Sequence, residues 1–424
     1  MAAREVTGAA CDGFFRTGGV FASWAEHYAM TVAIVGAGPA GLVVAHLLQR
    51  EAIPFVVFER HPLSELCRRP KAGLIEYRTV QLLAREGIAG PILQFSAENH
   101  RCEFRTPDES VVLDYGTLTG GRPHYIYPQH LLVQGLCEAL IAAGGQIRFG
   151  HTVRAVTQDS GGVLLSIQEP DGSSSEVRCE AAVGCEGSRS PVAAAMTGAR
   201  VSEQSLPVRW LVILGEAPPM EDHTIYAAHP RGFAGQMRRG PAQTRYMLEI
   251  PATDTVADWP RQRVRDELAA RLGADGRLDD VPVGDLGVLD LRVRVIEPMQ
   301  QGPLLLAGDA AHLITPAGGK GMNLAVQDAV ELAHGLIDRF GPKRDGGRLS
   351  GYSRTRLPPV WRTEAFSSWF LHVILTSLRD GKEPPGAVPG GFANGLRRSW
   401  IAALRSDPLF ARWFAHAYVG VDPP

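Results

Sequence analysis

An acidic residue and a glycine-rich loop meet at the end of a predicted strand, and together they could hold a ligand. The apolar run 304–307 ends at Gly308 and Asp309, and the glycine-rich loop 316–323 then opens a helix predicted over about 321–340. A carboxylate here can bind hydroxyl groups such as those of a ribityl chain. Free amides at a helix start favour negative charge on a bound ring. Alone, the Gly-Asp pair would be an ordinary turn, but with the loop and the helix it predicts a flavin site.

A second glycine-rich turn lies near the beginning of the chain. An apolar run predicted as a strand from residue 31 leads into a Gly-x-Gly-x-x-Gly turn, and a helix and another strand follow. The glycines are Gly36, Gly38 and Gly41, and Glu59 lies at the end of the second strand. The glycines permit close approach to a pyrophosphate, and the acid can bind ribose hydroxyls. A lone motif could be a plain turn, but strand, turn, helix and acid in this order predict a dinucleotide site.

Composition excludes several other classes of protein. The 424 residues are 45% hydrophobic with a net charge of −2, so we expect a large core and no basic surface for nucleic acid. The six cysteines form no C-x-x-C pair and show no metal-ligand spacing with histidine. This indicates reduced thiols in a cytoplasmic protein without a metal site. No apolar run reaches the length of a membrane span, so no membrane partner is expected.

The order of the predicted elements favours an α/β fold, in which a dinucleotide-binding domain carries an inserted β-sheet substrate domain and C-terminal helices. The predicted divisions are an N-terminal extension at 1–29, the first part of the dinucleotide-binding domain at 30–200, the substrate domain at 201–285, the second part of the dinucleotide-binding domain at 286–345, and the C-terminal helical region at 346–424.

With these motifs in order, the chain resembles the class A flavoprotein monooxygenases of the 4-hydroxybenzoate hydroxylase type. The resemblance covers about residues 31–420. Beyond the glycine motifs, it rests on short stretches at 69–76, 127–129, 225–233, 297–300 and 418–420. It implies an FAD-dependent hydroxylase that uses NADPH or NADH and O2 on a small aromatic acid. A flavin reductase or dehydrogenase without hydroxylation, or a flavin-binding redox regulatory protein, are the alternatives. The oligomeric state stays open, with a homodimer as one option.

The resemblance also implies which residues hold the two nucleotides. The FAD positions are Gly36, Gly38, Gly41, Glu59, Arg60, Arg69, Lys71, Gln129, Arg245, Asp309, Met322 and Asn323. The nicotinamide nucleotide positions are Arg69, Arg189 and Arg292. Lys71 stands where the family usually has an arginine, which keeps the charge but loses the bidentate fork. The arginines favour a 2′-phosphate whereas Glu65 could repel one, so NADPH and NADH both remain open.

The substrate residues follow from the same resemblance. Tyr226 matches the tyrosine that hydrogen-bonds a substrate phenol, and Tyr418 matches its proton-relay partner. The chemistry needs such a pair, because a phenol attacks electrophilic oxygen far better once it is a phenolate. Arg239 matches the arginine that binds the substrate carboxylate. Pro316 matches the residue whose carbonyl faces the ring, and Arg245 matches a residue linked to flavin movement.

Departures from the family concern the pocket itself. Met237 and Met247 replace a serine and a tyrosine that bind the substrate carboxylate, and Gly235 replaces a bulky aliphatic residue that lines the ring. These changes predict a pocket with two fewer hydroxyl donors and more room. Such a pocket would suit a 4-hydroxybenzoate with a further substituent, for example 3-amino-4-hydroxybenzoate, although both methionines could instead be core residues. The ring position that is hydroxylated stays open.

Overall fold

The computed structural model describes residues 30–66, 73–273, 276–278, 281–375 and 391–421. The strands in chain order are β1 (Met30–Val35), β2 (Phe55–Glu59), β3 (Leu74–Glu76), β4 (Ala97–Asn99), β5 (Arg101–Arg105), β6 (Ser110–Asp114), β7 (His124–Ile126), β8 (Ile147–Phe149), β9 (Thr152–Asp159), β10 (Gly162–Gln168), β11 (Ser174–Gly184), β12 (Arg200–Gly215), β13 (Thr224–His229), β14 (Gly232–Gly240), β15 (Gln243–Pro251), β16 (Val283–Glu297), β17 (Gln300–Gln301), β18 (Leu304–Leu306) and β19 (His312–Leu313).

Helices connect and cover these strands. In chain order they are α1 (Pro39–Arg50), α2 (Leu63–Leu66), α3 (Tyr77–Arg85), α4 (Gly90–Phe95), α5 (Tyr115–Leu118), α6 (Gln129–Ala142), α7 (Pro191–Ala194), α8 (Arg261–Leu272), α9 (Lys320–Phe340), α10 (Gly347–Ser350), α11 (Tyr352–Ile374), α12 (Gly391–Ser406) and α13 (Pro408–Val419). Short 3-10 helices lie at Val256–Asp258, Gly308–Ala310 and Ala317–Gly319.

A parallel sheet carries both glycine turns at its carboxyl edge. Its strand order is β18-β11-β1-β2-β8, and β17, β10 and β9 extend it in antiparallel fashion. Strand β1 lies in the centre, between β11 and β2, and residues 32–35 are at most 4% exposed. The first glycine turn follows β1 and the Gly308 turn follows β18, so the two turns lie near each other at one edge of the sheet.

A mostly antiparallel second sheet faces this edge. Its order is β19-β16-β12-β15-β14-β13-β5-β6, and only the contact of β13 with β5 is parallel among the described pairs. Helix α8 packs on one face, where Leu211, Tyr246 and Leu248 form a core with Val264 and Leu268. The C-terminal helices α11 to α13 pack on the other face. A small third sheet, β3-β7-β4, completes the fold.

The predicted α/β fold class is confirmed, while the exact domain divisions stay a prediction. Helix α1 begins at Pro39, as proline commonly does at a first helical position. Among the described residues, no helix is both long and apolar enough to cross a membrane. Within the same residues, no group of three His, Cys, Asp or Glu side chains gathers as a metal site requires.

Candidate functional site

A cavity of about 700 Å³ lies between the carboxyl edge of the parallel sheet and the second sheet. The predicted site residues on its wall are Gly36, Gly38, Glu59, Arg60, Gln129, Arg189, Met237, Arg239, Arg245, Met247, Arg292, Asp309, Pro316 and Met322. The predicted residues buried in the layer behind that wall are Gly41, Tyr226, Gly235, Asn323 and Tyr418. Arg69 and Lys71 lie outside the described residues.

The first glycine turn brings backbone amides to the cavity because its tight packing excludes side chains. A Cβ on Gly36, whose φ is +99°, would lie 2.7 Å from the carbonyl oxygen of Cys185, and a Cβ on Gly41 would lie 2.0 Å from that of Gly36. Glu59 fixes the turn, since its Oε2 accepts a 2.8 Å hydrogen bond from the amide of Ala37. Helix α1 has no side-chain cap, so its first amides can bind an anion such as a pyrophosphate.

Asp309 lies on a turn that a hydrogen bond from Gly308 to helix α9 stabilises. Gly308 has a φ of +62°, and its amide donates a 3.1 Å hydrogen bond to Oδ2 of Asp328 on α9. The same carboxylate lies 2.5 Å from Nε2 of His312 and accepts a 2.8 Å bond from Nε of Arg356. Burial acts to raise the pKa of Asp328, but His312 and Arg356 outweigh it and lower that pKa. Asp309 is thereby presented on the cavity wall.

The start of α9 is anchored, yet no side chain caps its amides. Lys320 is buried and donates hydrogen bonds of 2.5 Å to Oε1 of Glu76 and 2.7 Å to the carbonyl oxygen of Tyr418. Asn323 accepts a 2.9 Å bond from the amide of Glu76 and donates a 2.8 Å bond to the carbonyl oxygen of Gly319. Gly319 is the N-cap residue and supplies no side-chain bond. Because Gly319 and Lys320 line the cavity, the uncapped helix start opens onto it.

This donor set fits a dinucleotide that carries a ring. Uncapped starts of α1 and α9 suit phosphates and a ring with negative charge, while Glu59 and Asp309 suit hydroxyl groups. Glu186, also on the wall, has a buried Oε2 without a hydrogen-bond partner among the described residues. Burial raises the pKa of its carboxyl to about 7.

One face of the second sheet carries the residues predicted to bind a substrate. Along β14, Gly235 and Met237 alternate onto one face, and Arg239 follows where the pairing with β15 shifts register between Arg238 and Gly240. Gly235 pairs with Tyr226 on β13 and with Met247 on β15, and directly paired residues share a face. The structure therefore brings these five predicted residues together although they come from three strands.

The cavity is positively charged at Arg239. Two methionines on the same wall cannot donate hydrogen bonds. Arg239 is buried, and burial followed by the nearby Arg245 lowers its pKa to about 10, so it stays charged at neutral pH. Met237 and Met247 lie on the same wall, and their thioether sulfurs cannot donate hydrogen bonds. A substrate carboxylate could therefore form an ion pair with Arg239, but it would receive no hydrogen bond from Met237 or Met247.

The space at Gly235 differs from the roomier pocket that the sequence predicts. A Cβ on Gly235 would lie 2.9 Å from both Cε of Met247 and Cζ of Phe233. Phe233 also stacks on Trp210 and on Tyr226, with ring centroids 5.1 and 6.5 Å away. Aromatic packing and the methionine methyl group therefore occupy the room that the small residue leaves.

Tyr226 and Tyr418 form a buried hydroxyl pair behind this face. Their oxygens are 2.8 Å apart, and each residue is 1% exposed. Burial raises the pKa of Tyr226, although its hydrogen bond with Tyr418 opposes the shift. Burial also raises the pKa of Tyr418 well above its ordinary value. Both side chains therefore stay protonated at neutral pH and can share a proton along the pair.

Arginines line the cavity where it meets solvent. Arg189 and Arg292, predicted for the nicotinamide nucleotide, are exposed on the wall, and Arg292 lies 3.7 Å from Glu203. Arg60 donates a 2.9 Å hydrogen bond to the ring of His61. These cations give the opening a positive character that would attract an anionic nucleotide.

Sequence reasoning missed three residues of this site. Asp328 holds the Gly308 turn, and the only signal for it is an acid on the apolar stripe of a predicted helix. His124 packs edge-on against Tyr418, with ring centroids 4.7 Å apart. His130 lines the cavity next to Gln129 at the start of α6. No local motif marks either histidine.

A comparison with known proteins matches most of this chain to one family. A family profile described as FAD binding domain matches residues 29–367. The p-hydroxybenzoate hydroxylase of Acinetobacter baylyi is 31% identical to this chain over 347 residues, which cover 81% of this chain and 85% of that protein.

Other similarities involve further monooxygenases. The 12-dehydrotetracycline 5-monooxygenase/anhydrotetracycline 6-monooxygenase of Streptomyces rimosus subsp. rimosus is 32% identical over 347 residues, which cover 77% of this chain and 66% of that protein. The crystal structure of p-nitrophenol 4-monooxygenase from Pseudomonas putida DLL-E4 superposes with a TM-score of 0.78, covering 93% of this chain and 99% of that chain. At 20% identity, this last likeness describes the fold alone.

Proposed function

Because the chain belongs to the FAD binding domain family and is a flavin-dependent aromatic hydroxylase, we propose a 4-hydroxybenzoate-type acid as its substrate. The reductant would be NADPH or NADH, and O2 would supply the oxygen atom. The similar proteins are named as hydroxylases and monooxygenases, which disfavours a reductase without hydroxylation or a regulatory flavoprotein.

The observation that carries the proposal is a buried cation and a hydroxyl pair on one sheet face. Arg239 lies four positions along β14 from Gly235, the residue paired with Tyr226, which is at most about 13 Å because the register shifts between Arg238 and Gly240. A span of this size is long enough to hold one aromatic ring between the two side chains. A ring with a carboxylate opposite a phenol presents each group to its partner.

Arg239 would bind the substrate, and the tyrosine pair would move its phenol proton. When bound and reduced by the nicotinamide nucleotide, FAD supplies activated oxygen as the electrophile. Arg239 would bind the carboxylate and orient the ring, which fixes the carbon that reacts. The oxygen of Tyr226 would accept the phenol proton as its own hydroxyl proton passes to Tyr418 and the hydroxyl proton of Tyr418 is released to water, so neither tyrosine gains a charge. The substrate then holds the phenolate charge that makes its ring nucleophilic.

Cofactor roles follow from the same geometry. The amides at the start of α1, with Gly36 and Gly38, would hold the pyrophosphate, and Glu59 would hold the ribose. Gln129 and Asp309 would hold the ribityl chain. The start of α9 near Met322 and Asn323, with the carbonyl of Pro316, would face the ring system. The positions proposed from the resemblance for the nicotinamide nucleotide and the remaining FAD contacts are Arg60, Arg69, Lys71, Arg189, Arg245 and Arg292.

A ring substituent beside the phenol is a further part of the proposal; it rests on the family resemblance, in which Met237 and Met247 replace hydroxyl residues, and not on free space at Gly235, where Phe233 and Met247 fill the room. The deciding experiment is product analysis by mass spectrometry with a panel that includes 4-hydroxybenzoate and 3-amino-4-hydroxybenzoate. We expect substrate-stimulated NADPH or NADH oxidation coupled to a product heavier by one oxygen atom. If no acid in the panel yields a hydroxylated product, even when NADPH or NADH is oxidised, the proposed substrate class is refuted.

Replacing Arg239 by glutamine should weaken binding of a carboxylated substrate by about 1.5–3 kcal/mol, because a charge-assisted hydrogen bond is lost. Titrating the acid into FAD-loaded protein and following the flavin absorbance measures the dissociation constant. Arg231→Gln is the matched control, because this exposed arginine lies in the turn between β13 and β14 and pairs with Glu267 of α8. Equal affinity of the wild type and the Arg239 variant would remove Arg239 from the binding site.

A further inference from the structure

Four aromatic rings stack in a row across the second sheet, and Tyr226 is the third of them. In order they are Trp210 of β12, Phe233 of β14, Tyr226 of β13 and Phe104 of β5, each at most 1% exposed. Neighbouring ring centroids lie 5.1, 6.5 and 5.7 Å apart, with interplanar angles of 28°, 24° and 25°. The ring of Tyr226 is therefore held between two nearly parallel rings.

Packing, rather than hydrogen bonding, fixes the tilt of the Tyr226 ring. Its hydroxyl lies 2.8 Å from that of Tyr418, but one bond between two hydroxyls restrains the oxygen and leaves the ring free to turn about it. Phe370 of α11 contacts the ring edge-on, with centroids 4.9 Å apart. In a close-packed interior, such neighbours hold a side chain in one orientation. The position of the Tyr226 hydroxyl therefore depends on the rings around it.

Gly235 allows Phe233 to lie beside Tyr226. It is paired with Tyr226 across β13 and β14, and a Cβ at this position would lie 2.9 Å from both Cζ of Phe233 and Cε of Met247. The methionine methyl can turn away on its flexible chain, whereas the phenylalanine ring is confined between Trp210 and Tyr226. A side chain at position 235 would therefore press the Phe233 ring toward its neighbours.

We propose that Phe233 is a positioning residue that keeps the Tyr226 hydroxyl between the substrate phenol and Tyr418, and that the absence of a side chain at Gly235 makes room for its ring. This inference rests on the proposed function. Proton transfer itself stays with the two tyrosines, so Phe233 acts only through the orientation of the Tyr226 ring. Because a shift of about 1 Å at a reacting group can slow a reaction about a hundredfold, a loosely held ring would slow proton removal and thereby hydroxylation.

The test compares two variants in FAD-loaded protein with 4-hydroxybenzoate or its 3-amino analogue. Phe233→Leu removes one ring of the stack, whereas Gly235→Ala keeps every ring and pushes Phe233 aside. Each should lower the single-turnover hydroxylation rate about tenfold, and the ratio of product to NADPH or NADH consumed should fall with it. The affinity for FAD and the rate of flavin reduction should not change.

The double variant tests the link between the two positions. Leucine lacks Cζ, the atom of Phe233 that a Cβ at position 235 would meet. Adding Gly235→Ala to Phe233→Leu should therefore cause no further loss of hydroxylation rate. Additive losses would show that Gly235 does not act through Phe233 and would overturn the inference.

Tyr246→Leu is the matched control, because it removes a fully buried ring from the opposite face of the same sheet, where Tyr246 packs with α8. It should lower stability and keep the product ratio. A normal hydroxylation rate in Phe233→Leu and Gly235→Ala would overturn the inference, and so would an equal fall of the product ratio in Tyr246→Leu. If Phe233→Leu does not fold, the rate of Gly235→Ala decides alone. A wild type that hydroxylates none of the acids would refute the proposed function and the inference with it.

Discussion

Replacing Asp328 by asparagine should lower the free energy of unfolding by about 3–5 kcal/mol and should weaken FAD binding. The carboxylate is fully buried and accepts hydrogen bonds from the amide of Gly308 and from Arg356, and it lies 2.5 Å from His312. Without its charge, the cation of Arg356 would remain buried and uncompensated. FAD binding should suffer because Asp328 holds the Gly308 turn that presents Asp309.

The pH dependence of this loss gives an independent check. The folded-state pKa of Asp328 is lowered, so its stabilisation is present above the ordinary pKa of an aspartate, about 3.9, and is lost as pH falls through the lowered value. The difference in stability between the wild type and the variant should therefore be full at neutral pH. It should shrink in acid.

Denaturant unfolding followed by circular dichroism measures the stability, and the rise of flavin fluorescence on release measures FAD affinity. Asp338→Asn is the control on the same helix, because Asp338 pairs with Lys343 at 2.7 Å and the lysine is 74% exposed. Breaking this exposed surface pair should cost far less stability than the loss of the buried carboxylate of Asp328. A loss of comparable size in both variants would contradict the role of Asp328.

The two glycine turns were readable from sequence because their requirements are local. Gly36 and Gly308 have positive φ values of +99° and +62°, and each follows an apolar run with an acid nearby. Few residues other than glycine can adopt these tight turns between a strand and a helix. The glycine motif therefore predicts both the backbone conformation and the class of ligand. The α/β class follows from the same order of elements.

The substrate face could not be read in this way because its residues meet through long-range pairing. Tyr226 and Tyr418 are 192 positions apart and meet only when α13 packs on the second sheet. No spacing rule links them, so the prediction of this pair came from the family resemblance. The packing of Phe233 against Gly235 was likewise invisible, because it depends on which side chains fill a shared layer.

Buried polar groups were the largest gap. Asp328 and His130 carry no motif, and each acquires its meaning from what lies around it in three dimensions. For Asp328, the partners come from a turn, a short strand and a helix, and His130 lies in the wall of a cavity that only the packed structure forms. Satisfaction of buried polar atoms is a property of the packed structure, so the sequence alone cannot reveal it.

Tyr226→Phe should slow hydroxylation by about 10²–10⁴-fold while leaving FAD binding nearly unchanged. The substitution removes one oxygen and keeps the ring, whose centroid lies 4.9 Å from that of Phe370 and 5.7 Å from that of Phe104. Packing is therefore preserved. The substrate phenol, however, loses the acceptor that leads its proton to Tyr418.

Rapid mixing of reduced, substrate-loaded protein with O2 measures the hydroxylation rate in one turnover, and the ratio of product to NADPH or NADH consumed measures coupling. We expect a low ratio in Tyr226→Phe with a normal rate of flavin reduction. Tyr115→Phe is the control. The ring centroid of this buried tyrosine lies 5.2 Å from that of Tyr418, but its hydroxyl donates a hydrogen bond to the carbonyl oxygen of Asn99. It should lose stability and keep the product ratio. A wild-type hydroxylation rate in Tyr226→Phe would mean that the phenol loses its proton by another route, and the hydroxyl pair would then be part of the core rather than of the mechanism.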